Sequence, residues 1–474
     1  MNLDPLFYPK SVAVIGASDN LGGGKLPYFL IMQANGFAGA LYPVNPRRAE
    51  VCGVMAYASI ADLPEPVDFA IVAAPVEQSL DIVKAAVRKG IKFIHFFTSG
   101  FGETGNLQLE KDVIREARKG HLRIVGPNCI GVQCFESKVS FRLTEAQEEP
   151  GAIAFLGQSG GITSSFVAMA TTRGIWLNKV VSYGNQIDLM LEDYLGYLAD
   201  DDNIRLIACY VEDIKDANKF LKTLRRATDK KPVIILKGGK TELGSKAAAS
   251  HTGAMASNYT IWAAAVRQHG GVLVDTFEEM MNLAMLGTAN KLPRGRRVGF
   301  MGAGGGISVL FSDLAVAAGI ELPEVSEKTQ QMISEKIRGV NTSTTNPVDL
   351  GAFGFDLNVM LHTMKALDQD ENIDVIVPYF SVEYIMHAEV FLKVTNSADT
   401  IMEMAKQVKK PVIPVLSCFL ENDLEAERVR IATFNALRKA EFPVYPTIQE
   451  ALYVIETYLE WAEKRERRGA KDTT

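Results

Sequence analysis

Short, continuous apolar runs alternate along this chain with longer stretches in which apolar and polar positions follow a helical period. The helical stretches include residues 78–89 and 107–119. The apolar runs are SVAVIG, ALYPVN, DFAIVAAP, KFIHFFTS, RLIACYVE, VIILKG, DVIVPYF and VIPVLS. Strands that are apolar on both faces are typical of parallel sheets covered by helices on both sides. The pattern therefore predicts an α/β fold with parallel sheets.

Three segments repeat one motif, in which an apolar run leads through a glycine turn into an amphipathic stretch. They are SVAVIGASDNLGGGK from Ser11, AIAFLGQSGGITSSF from Ala152 and RVGFMGAGGGISVLF from Arg297. Their spacing is close to the usual domain size of ~150 residues. We expect three consecutive Rossmann- or flavodoxin-like parallel-sheet domains at 1–145, 151–290 and 296–460, followed by a disordered charged tail at 464–474.

Composition narrows the function classes. The 474 residues carry a net charge of −6 and are 47% hydrophobic, which gives no electrostatic footprint for nucleic acid or an anionic membrane. No apolar stretch approaches the length of a membrane span. The five cysteines are scattered without a CxxC pair, so neither a disulfide framework nor a metal site is predicted. These features favour a soluble cytoplasmic protein.

The first glycine turn, from Gly16 to Gly24, is close to the dinucleotide fingerprint GxGxxG but does not match it. A nicotinamide cofactor would also need a carboxylate after the second strand to hold the ribose hydroxyls. The sequence there is Pro43-Val44-Asn45-Pro46-Arg47, so a ligand with an adenosine 3′-phosphate, such as coenzyme A, suits this turn better. A tight strand–helix connection without a ligand remains open.

The other two turns differ in the chemistry that accompanies them. The second, Gly157 to Gly161, opens a helix whose free N–H groups, with the Ser159 hydroxyl, can bind phosphate or a carboxylate. The third, Gly302 to Gly306, has no reactive residue beside it and is interpreted as a fold element only.

His251 is the histidine whose context favours chemistry. It lies in KGGKTELGSKAAASHTGA, residues 237–254, which we expect to be a flexible loop before a helix at 257–268 capped by Ser257. A nucleophilic histidine needs a carboxylate to fix its tautomer, and Glu212 ends the strand-like run that precedes VIILKG. Neighbouring parallel strands end at the same edge, so Glu212 is the predicted partner. His269 is interpreted as a helix C-terminal cation.

Taken together, these segments resemble the nucleoside-diphosphate-forming acyl-CoA synthetases, the superfamily that includes succinyl-CoA synthetase and the ADP-forming acetyl-CoA synthetases. The resemblance is to the α subunit and runs from Leu6 to Leu459. It is carried by SVAVIGAS, YPVNP, IVGPNCIG, FLGQSGG, VSYGNQID, SHTG, GAGGGISVL and NPVDLGA, in this order.

The resemblance implies a role for each matching residue. His251 would be transiently phosphorylated and Glu212 would support it. The residues implied around acyl phosphate and phosphate are Asn128, Ser159, Gly160, Gly161, Gly184 and Asn185. Those implied around CoA are Gly16, Ala17, Ser18, Lys25, Asn45, Arg47, Thr98 and Ser99. The glycine-rich stretch 19–24 and FRLTEAQEE at 141–149 depart from the family pattern, and the latter bears on which acyl group is accepted.

The implied reaction interconverts acyl-CoA, ADP and phosphate with a carboxylic acid, CoA and ATP, through acyl phosphate and a phosphohistidine. Because only about one helix is predicted after Gln449, a separate ATP-grasp β subunit is expected to hold the nucleotide and Mg²⁺, in a hetero-oligomer. The alternatives are a non-catalytic CoA- or acyl-CoA-binding module and an NAD-dependent dehydrogenase, which the missing ribose carboxylate disfavours. The acyl group, ADP against GDP, and the physiological direction remain open.

Overall fold

The computed structural model describes residues 1–19, 26–64, 66–143, 147, 149–252, 258–338, 340–392, 401–403 and 406–472. Side chains are not described at 248–252, 389–392 and 470–472. The chain divides into two compact units, Met1–Met280 and Met281–Thr474. The three predicted domain boundaries stay a prediction, since the first predicted domain and most of the second fall within one unit.

The first sheet of the N-terminal unit is parallel, with strand order β2-β1-β5-β6-β7. Its buried strands are apolar on both faces, as predicted. The strands, including a short hairpin, are β1 (Ser11–Ile15), β2 (Ala40–Val44), β3 (Glu50–Val51), β4 (Val54–Met55), β5 (Phe69–Val72), β6 (Phe93–Phe96) and β7 (Arg123–Val125). The helices are α1 (Asp4–Phe7), α2 (Tyr28–Ala34), α3 (Ser79–Lys89) and α4 (Leu107–Lys119), with 3-10 turns at Ile60–Asp62, Val76–Gln78 and Gly102–Thr104.

The second sheet of this unit has the order β13-β12-β11-β9-β10-β8, and β8 is an antiparallel edge strand. Its strands are β8 (Gly131–Cys134), β9 (Ile153–Gly157), β10 (Leu177–Ser182), β11 (Leu206–Val211), β12 (Val233–Lys237) and β13 (Val272–Val274). Its helices are α5 (Gly160–Thr172), α6 (Leu191–Ala199), α7 (Ala217–Thr228), α8 (Glu242–Thr252), α9 (Tyr259–Gln268) and α10 (Phe277–Leu286), the last of which crosses the unit boundary.

The C-terminal unit contains a parallel sheet of order β15-β14-β16-β17. Its strands are β14 (Val298–Gly302), β15 (Val348–Asp349), β16 (Val375–Ser381) and β17 (Val415–Ser417). Its helices are α11 (Gly305–Ala317), α12 (Glu327–Ser334), α13 (Leu357–Gln369), α14 (Val382–Leu392), α15 (Leu424–Lys439) and α16 (Ile448–Asp472), with a 3-10 turn at Gly351–Phe355. The three sheets, parallel except for the edge strand β8, confirm the predicted fold class.

Three local predictions were wrong. Much of the expected loop 237–254 is helix α8, because Thr241 accepts the N–H of Gly244 through its hydroxyl (3.1 Å) and because alanine favours the helix. The cap of α9 is Asn258, whose side chain accepts two N–H groups, and Ser257 lies outside the described residues. The tail expected to be disordered is helical to Asp472, supported by an ion pair between Lys464 and Glu460.

Within the described ranges, every helix is too short or too polar to span a membrane.

Candidate active site

A cleft of about 730 Å³ opens in the N-terminal unit where strands of both its sheets reach their carboxyl ends. Nine of the residues singled out from the sequence line it: Thr98, Ser99, Asn128, Ser159, Gly160, Gly161, Gly184, Asn185 and Glu212. Ala73, Ala74 and Pro75 complete one side of the cleft. The structure therefore brings residues implied for CoA together with those implied for phosphate.

The backbone of Glu212 is fixed from two directions. Its N–H donates to Oε1 of Gln158 at 2.8 Å, and its carbonyl accepts from Nζ of Lys237 at 2.8 Å. Val211 and Lys237 are register partners in the parallel pair β11–β12, which explains why the two strand ends meet. Burial lowers the pKa of Lys237, and its ammonium lies 5.7 Å from the ring centroid of Trp262. Glu212 is thus held at the edge of the sheet where the segment that contains His251 begins.

Sequence reasoning missed Gln158. Its side chain is 3% exposed and lines the cleft, and its Oε1 also accepts the N–H of Asp213 at 2.9 Å. Its Nε2 has no hydrogen-bond partner among the described residues. A buried amide N–H without a partner is costly, so a site for an acceptor atom is expected beside it. The signal available in the sequence was its position directly before the Ser159 turn.

The second glycine turn has the geometry of an anion site. Ser159 is the N-cap of α5, and its hydroxyl accepts the N–H of Ile162 at 3.4 Å. In the described part of the chain, the N–H groups of Gly160 and Gly161 make no hydrogen bond. Gly160 and Gly161 line the cleft at the positive end of the helix dipole, and Gln158 lines it beside them.

Two loops meet on the far wall of the cleft. Asn128 adopts φ 57° and Gly184 adopts φ 53°, where a Cβ would lie 2.2 Å from the carbonyl oxygen of Pro127. Nδ2 of Asn128 donates to Oδ1 of Asn185 (3.4 Å), and Nδ2 of Asn185 donates to Oε2 of Glu103 at 2.6 Å. The carboxylate of Glu103 also accepts the N–H of Gly100 (2.6 Å). Glu103, which the sequence analysis did not single out, therefore orients this wall.

The first glycine turn packs closely against the next strand end. At Gly16, with φ 81°, a Cβ would lie 2.6 Å from the carbonyl oxygen of Ala73, which lines the cleft. Asn45 ties the turn to β2, because its Nδ2 donates to the Ala17 carbonyl at 2.8 Å and its Oδ1 accepts the N–H of Arg47 at 2.9 Å. A neutral amide therefore stands where a nicotinamide site would carry a carboxylate, which fits CoA.

For the other residues implied around CoA, the structure gives fewer contacts. Oγ1 of Thr98 donates to the Ala74 carbonyl at 2.6 Å, which fixes it at the cleft wall. The turn at Ser18 is described, whereas Lys25 lies outside the described residues. Arg48, the basic residue that follows Arg47, is ion-paired with Asp19.

His251 lies near the end of α8, and its side chain is outside the described residues. The backbone of α8 lies beside the 3-10 turn Gly102–Thr104, which carries Glu103. The helix that bears His251 therefore begins at the Glu212 edge and passes the Asn185 wall of the same cleft.

Two other histidines, His95 and His269, contact backbone carbonyl groups through their rings. His95 is buried, its ring bonds the Cys129 carbonyl through Nε2 at 3.0 Å, and burial lowers its pKa to about 4. Nδ1 of His269 lies 2.7 Å from the Ala265 carbonyl at the end of α9, where the sequence predicted a helix C-terminal cation.

The third glycine turn donates a hydrogen bond to a carboxylate of the same chain. Oδ1 of Asp349 accepts the N–H of Gly304 and that of Gly351, each at 2.9 Å. A protein carboxylate thus occupies the place of an external anion, in keeping with a turn that only shapes the fold. Across the described residues, no group of three or more His, Cys, Asp or Glu side chains could hold a metal.

Comparisons with known proteins agree with this geometry. Residues 10–134 match the CoA binding domain and residues 150–286 the succinyl-CoA ligase like flavodoxin domain. The α subunit of ADP-forming acetate–CoA ligase II from Pyrococcus furiosus is 34% identical over 460 residues, 95% of this chain and 98% of that subunit.

A longer relative and a solved structure extend this comparison. The ADP-forming acetate–CoA ligase of Methanocaldococcus jannaschii is 33% identical over 72% of this chain, which spans 48% of that longer protein. The structure of acetyl-coenzyme A synthetase 1 from Ca. Korarchaeum cryptofilum, in complex with phosphate and ADP, superposes with a TM-score of 0.85 at 27% identity, covering 98% of both chains.

Proposed function

This chain belongs to the ADP-forming acyl-CoA synthetase family, and we propose that it is the α subunit, which binds CoA and relays a phosphoryl group through His251. The reaction interconverts acyl-CoA, ADP and phosphate with a carboxylic acid, CoA and ATP. One observation carries the proposal: residues from the CoA side, an anion-binding helix N-terminus and Glu212 share a single cleft.

The first step makes acyl phosphate. A phosphate oxygen attacks the thioester carbonyl carbon, the C–S bond breaks, and the CoA thiolate leaves and takes up a proton. The N–H groups of Gly160 and Gly161 and Nε2 of Gln158 are proposed to hold the phosphate oxygens, because the three residues line the cleft and these groups have no partners in the described residues. Positioning and charge neutralisation supply most of the catalysis in such transfers.

The second step moves the phosphoryl group to the protein. A ring nitrogen of His251 attacks phosphorus and the P–O bond to the acyl group breaks, which releases the carboxylate. Glu212 is proposed to accept a hydrogen bond from the other ring N–H and so to fix the tautomer and stabilise the imidazolium charge. The fixed backbone of Glu212 supports this positioning role.

The nucleotide site belongs to a partner. Movement of the segment that bears His251 would carry the phosphoryl group to an ATP-grasp β subunit, where an oxygen of the ADP β-phosphate accepts it. Mg²⁺ there would neutralise phosphate charge. The name of the Pyrococcus furiosus relative supports a separate subunit, and the longer Methanocaldococcus jannaschii relative has room for both parts in one chain.

Further support concerns the alternatives and the location. The relatives reported above are named as ligases, and neither the non-catalytic module nor the dehydrogenase gains support from them. All five cysteines are free thiols, which suits a reducing cytoplasm, and we propose that location.

Reconstitution tests the function. The full chain is mixed with an ATP-grasp partner, Mg²⁺, ADP, phosphate and acetyl-CoA, and ATP and free CoA are measured. We expect equal amounts of both products, and none when phosphate is omitted. ATP formed without phosphate, or CoA released without ATP, would contradict the proposal.

A further inference from the structure

A second, apolar cavity lies directly beside the reaction cleft. Its volume is about 1130 Å³, and its wall includes Leu30 and Ala34 of α2, Phe141 and Leu143 after β8, and Ala168 of α5. Phe141 and Leu143 belong to the segment that the sequence already marked as unusual for the family.

The cavity and the cleft share part of their walls. Phe97, Ile130, Gly160 and Gly161 line both spaces, so a group bound at the helix N-terminus of α5 lies at the border between them. Ala73 to Pro75, next to the Gly16 turn, line the cleft but not the cavity, whereas Leu26 and Pro27, which follow that turn, line the cavity. A thioester attacked by phosphate at the border between the two spaces would have its acyl group within reach of the cavity.

The chemistry of the wall selects the acyl group. Arg142 is the one ionised side chain among the described residues that line the cavity, and its Nη1 donates to the Ser164 carbonyl at 3.4 Å. The other named side chains of the wall, Leu30, Ala34, Phe141, Leu143 and Ala168, are apolar. An apolar group bound there would remove the Leu30 and Phe141 surfaces from water.

We propose that this cavity is the acyl subsite and that it takes carboxylic acids with a bulky apolar body, aryl or branched alkyl. The proposal rests on the proposed function, since it assigns the acyl group of that same reaction. Short acids would also react, because they need only the shared wall at Phe97 and Gly160.

The test narrows the cavity without touching the reacting groups. Ala34→Phe and Ala168→Phe place a ring in the space, and Ala317→Phe makes the same change on the exposed part of a helix in the other unit. The kcat/KM for phenylacetate, isovalerate, acetate and succinate is measured on the reconstituted complex. One methylene in an apolar pocket changes kcat/KM by about 10–200-fold.

We expect the wild type to use phenylacetate or isovalerate better than succinate. Both cavity variants should lose activity on the bulky acids by about 10-fold or more. They should keep acetate activity close to that of the wild type and of Ala317→Phe. Equal loss on all acids, no loss on any, or a preference for succinate would overturn the proposal, as would failure of Ala34→Phe to assemble with the partner, because the cavity would then be a subunit contact.

Phosphorylation of His251 by ATP needs no acyl group and separates the two proposals. If the label forms in every variant while acid selectivity is unchanged, the acyl subsite is wrong and the relay stands. If the label does not form in the wild type, the proposed function itself fails.

Discussion

Replacement of Gln158 by glutamate tests the unpaired amide N–H of a residue that lines the reaction cleft. Glutamate keeps one oxygen to accept the N–H groups of Glu212 and Asp213, which lie 2.8 and 2.9 Å from Oε1 in the native protein. The change replaces Nε2, which lacks a partner in the described residues, with a second carboxylate oxygen. The hydrogen bonds that hold the end of β11 are thereby retained, while the N–H donor of the Gln158 amide is lost.

The size of the effect follows from the lost bond. A hydrogen bond to a charged group contributes about 1.5–3 kcal/mol, which corresponds to roughly a 10- to 150-fold weaker interaction with phosphate. Repulsion between the new carboxylate and phosphate adds to this loss. The KM for phosphate should therefore rise by at least 10-fold at neutral pH, whereas the Kd for CoA should not change.

The assay is CoA release from acetyl-CoA by the reconstituted complex as phosphate is varied. Gln331→Glu adds the same charge at an exposed helix position and serves as the control. As the pH falls, protonation of the new carboxyl group restores a donor, so the difference from the wild type should shrink. An unchanged KM for phosphate in Gln158→Glu, or an equal change in the control, would refute this assignment.

Three further predictions concern CoA, the cleft wall and pH. Arg47→Ala should weaken binding of CoA but not of 3′-dephospho-CoA in calorimetric titrations, and equal weakening of both would argue against a 3′-phosphate contact. Gly184→Ala should lower the Tm, because a Cβ would lie 2.2 Å from the Pro127 carbonyl oxygen at φ 53°, whereas Gly306→Ala, with open space around it, should not. Burial lowers the pKa of His95 to about 4, so the unfolded state binds a proton before the folded state does as the pH falls below about 6.5. The free energy of unfolding should therefore decrease by up to about 3 kcal/mol between pH 6.5 and pH 4. His95→Gln should show a shallower decline in Tm over that range.

Strand ends and glycine turns were predictable from the sequence because each has a local cause. Apolar runs identified the parallel strands, and the run before Glu212 pairs with β12 as expected. Gly16 takes a positive φ that side-chain residues avoid, which is why the turn was visible as a motif. The Asn128 and Asn185 loops were found only through their resemblance to a family.

Other parts of the site depend on contacts that no local pattern encodes. Glu103 reaches Asn185 across a separation of 82 residues, and its own segment is a short 3-10 turn without periodicity. The direction of the Gln158 amide is set by the N–H groups of a neighbouring strand. Helix α8 was mistaken for a loop because its glycine and small residues outweighed the alanine run and the Thr241 cap in our interpretation. The apolar cavity joins α2, α5 and the segment after β8, which only the folded chain brings together.

The central claim is that His251 carries the phosphoryl group with support from Glu212. The direct measurement is incubation of the chain with its ATP-grasp partner, Mg²⁺ and γ-labelled ATP, followed by rapid quenching and identification of the labelled residue. We predict an alkali-stable, acid-labile phosphate on His251, absent in His251→Asn, unchanged in His269→Asn, and formed more slowly in Glu212→Gln, whose CoA binding is intact. Equal labelling of His251→Asn would contradict the account, and an unchanged rate in Glu212→Gln would remove the carboxylate from it.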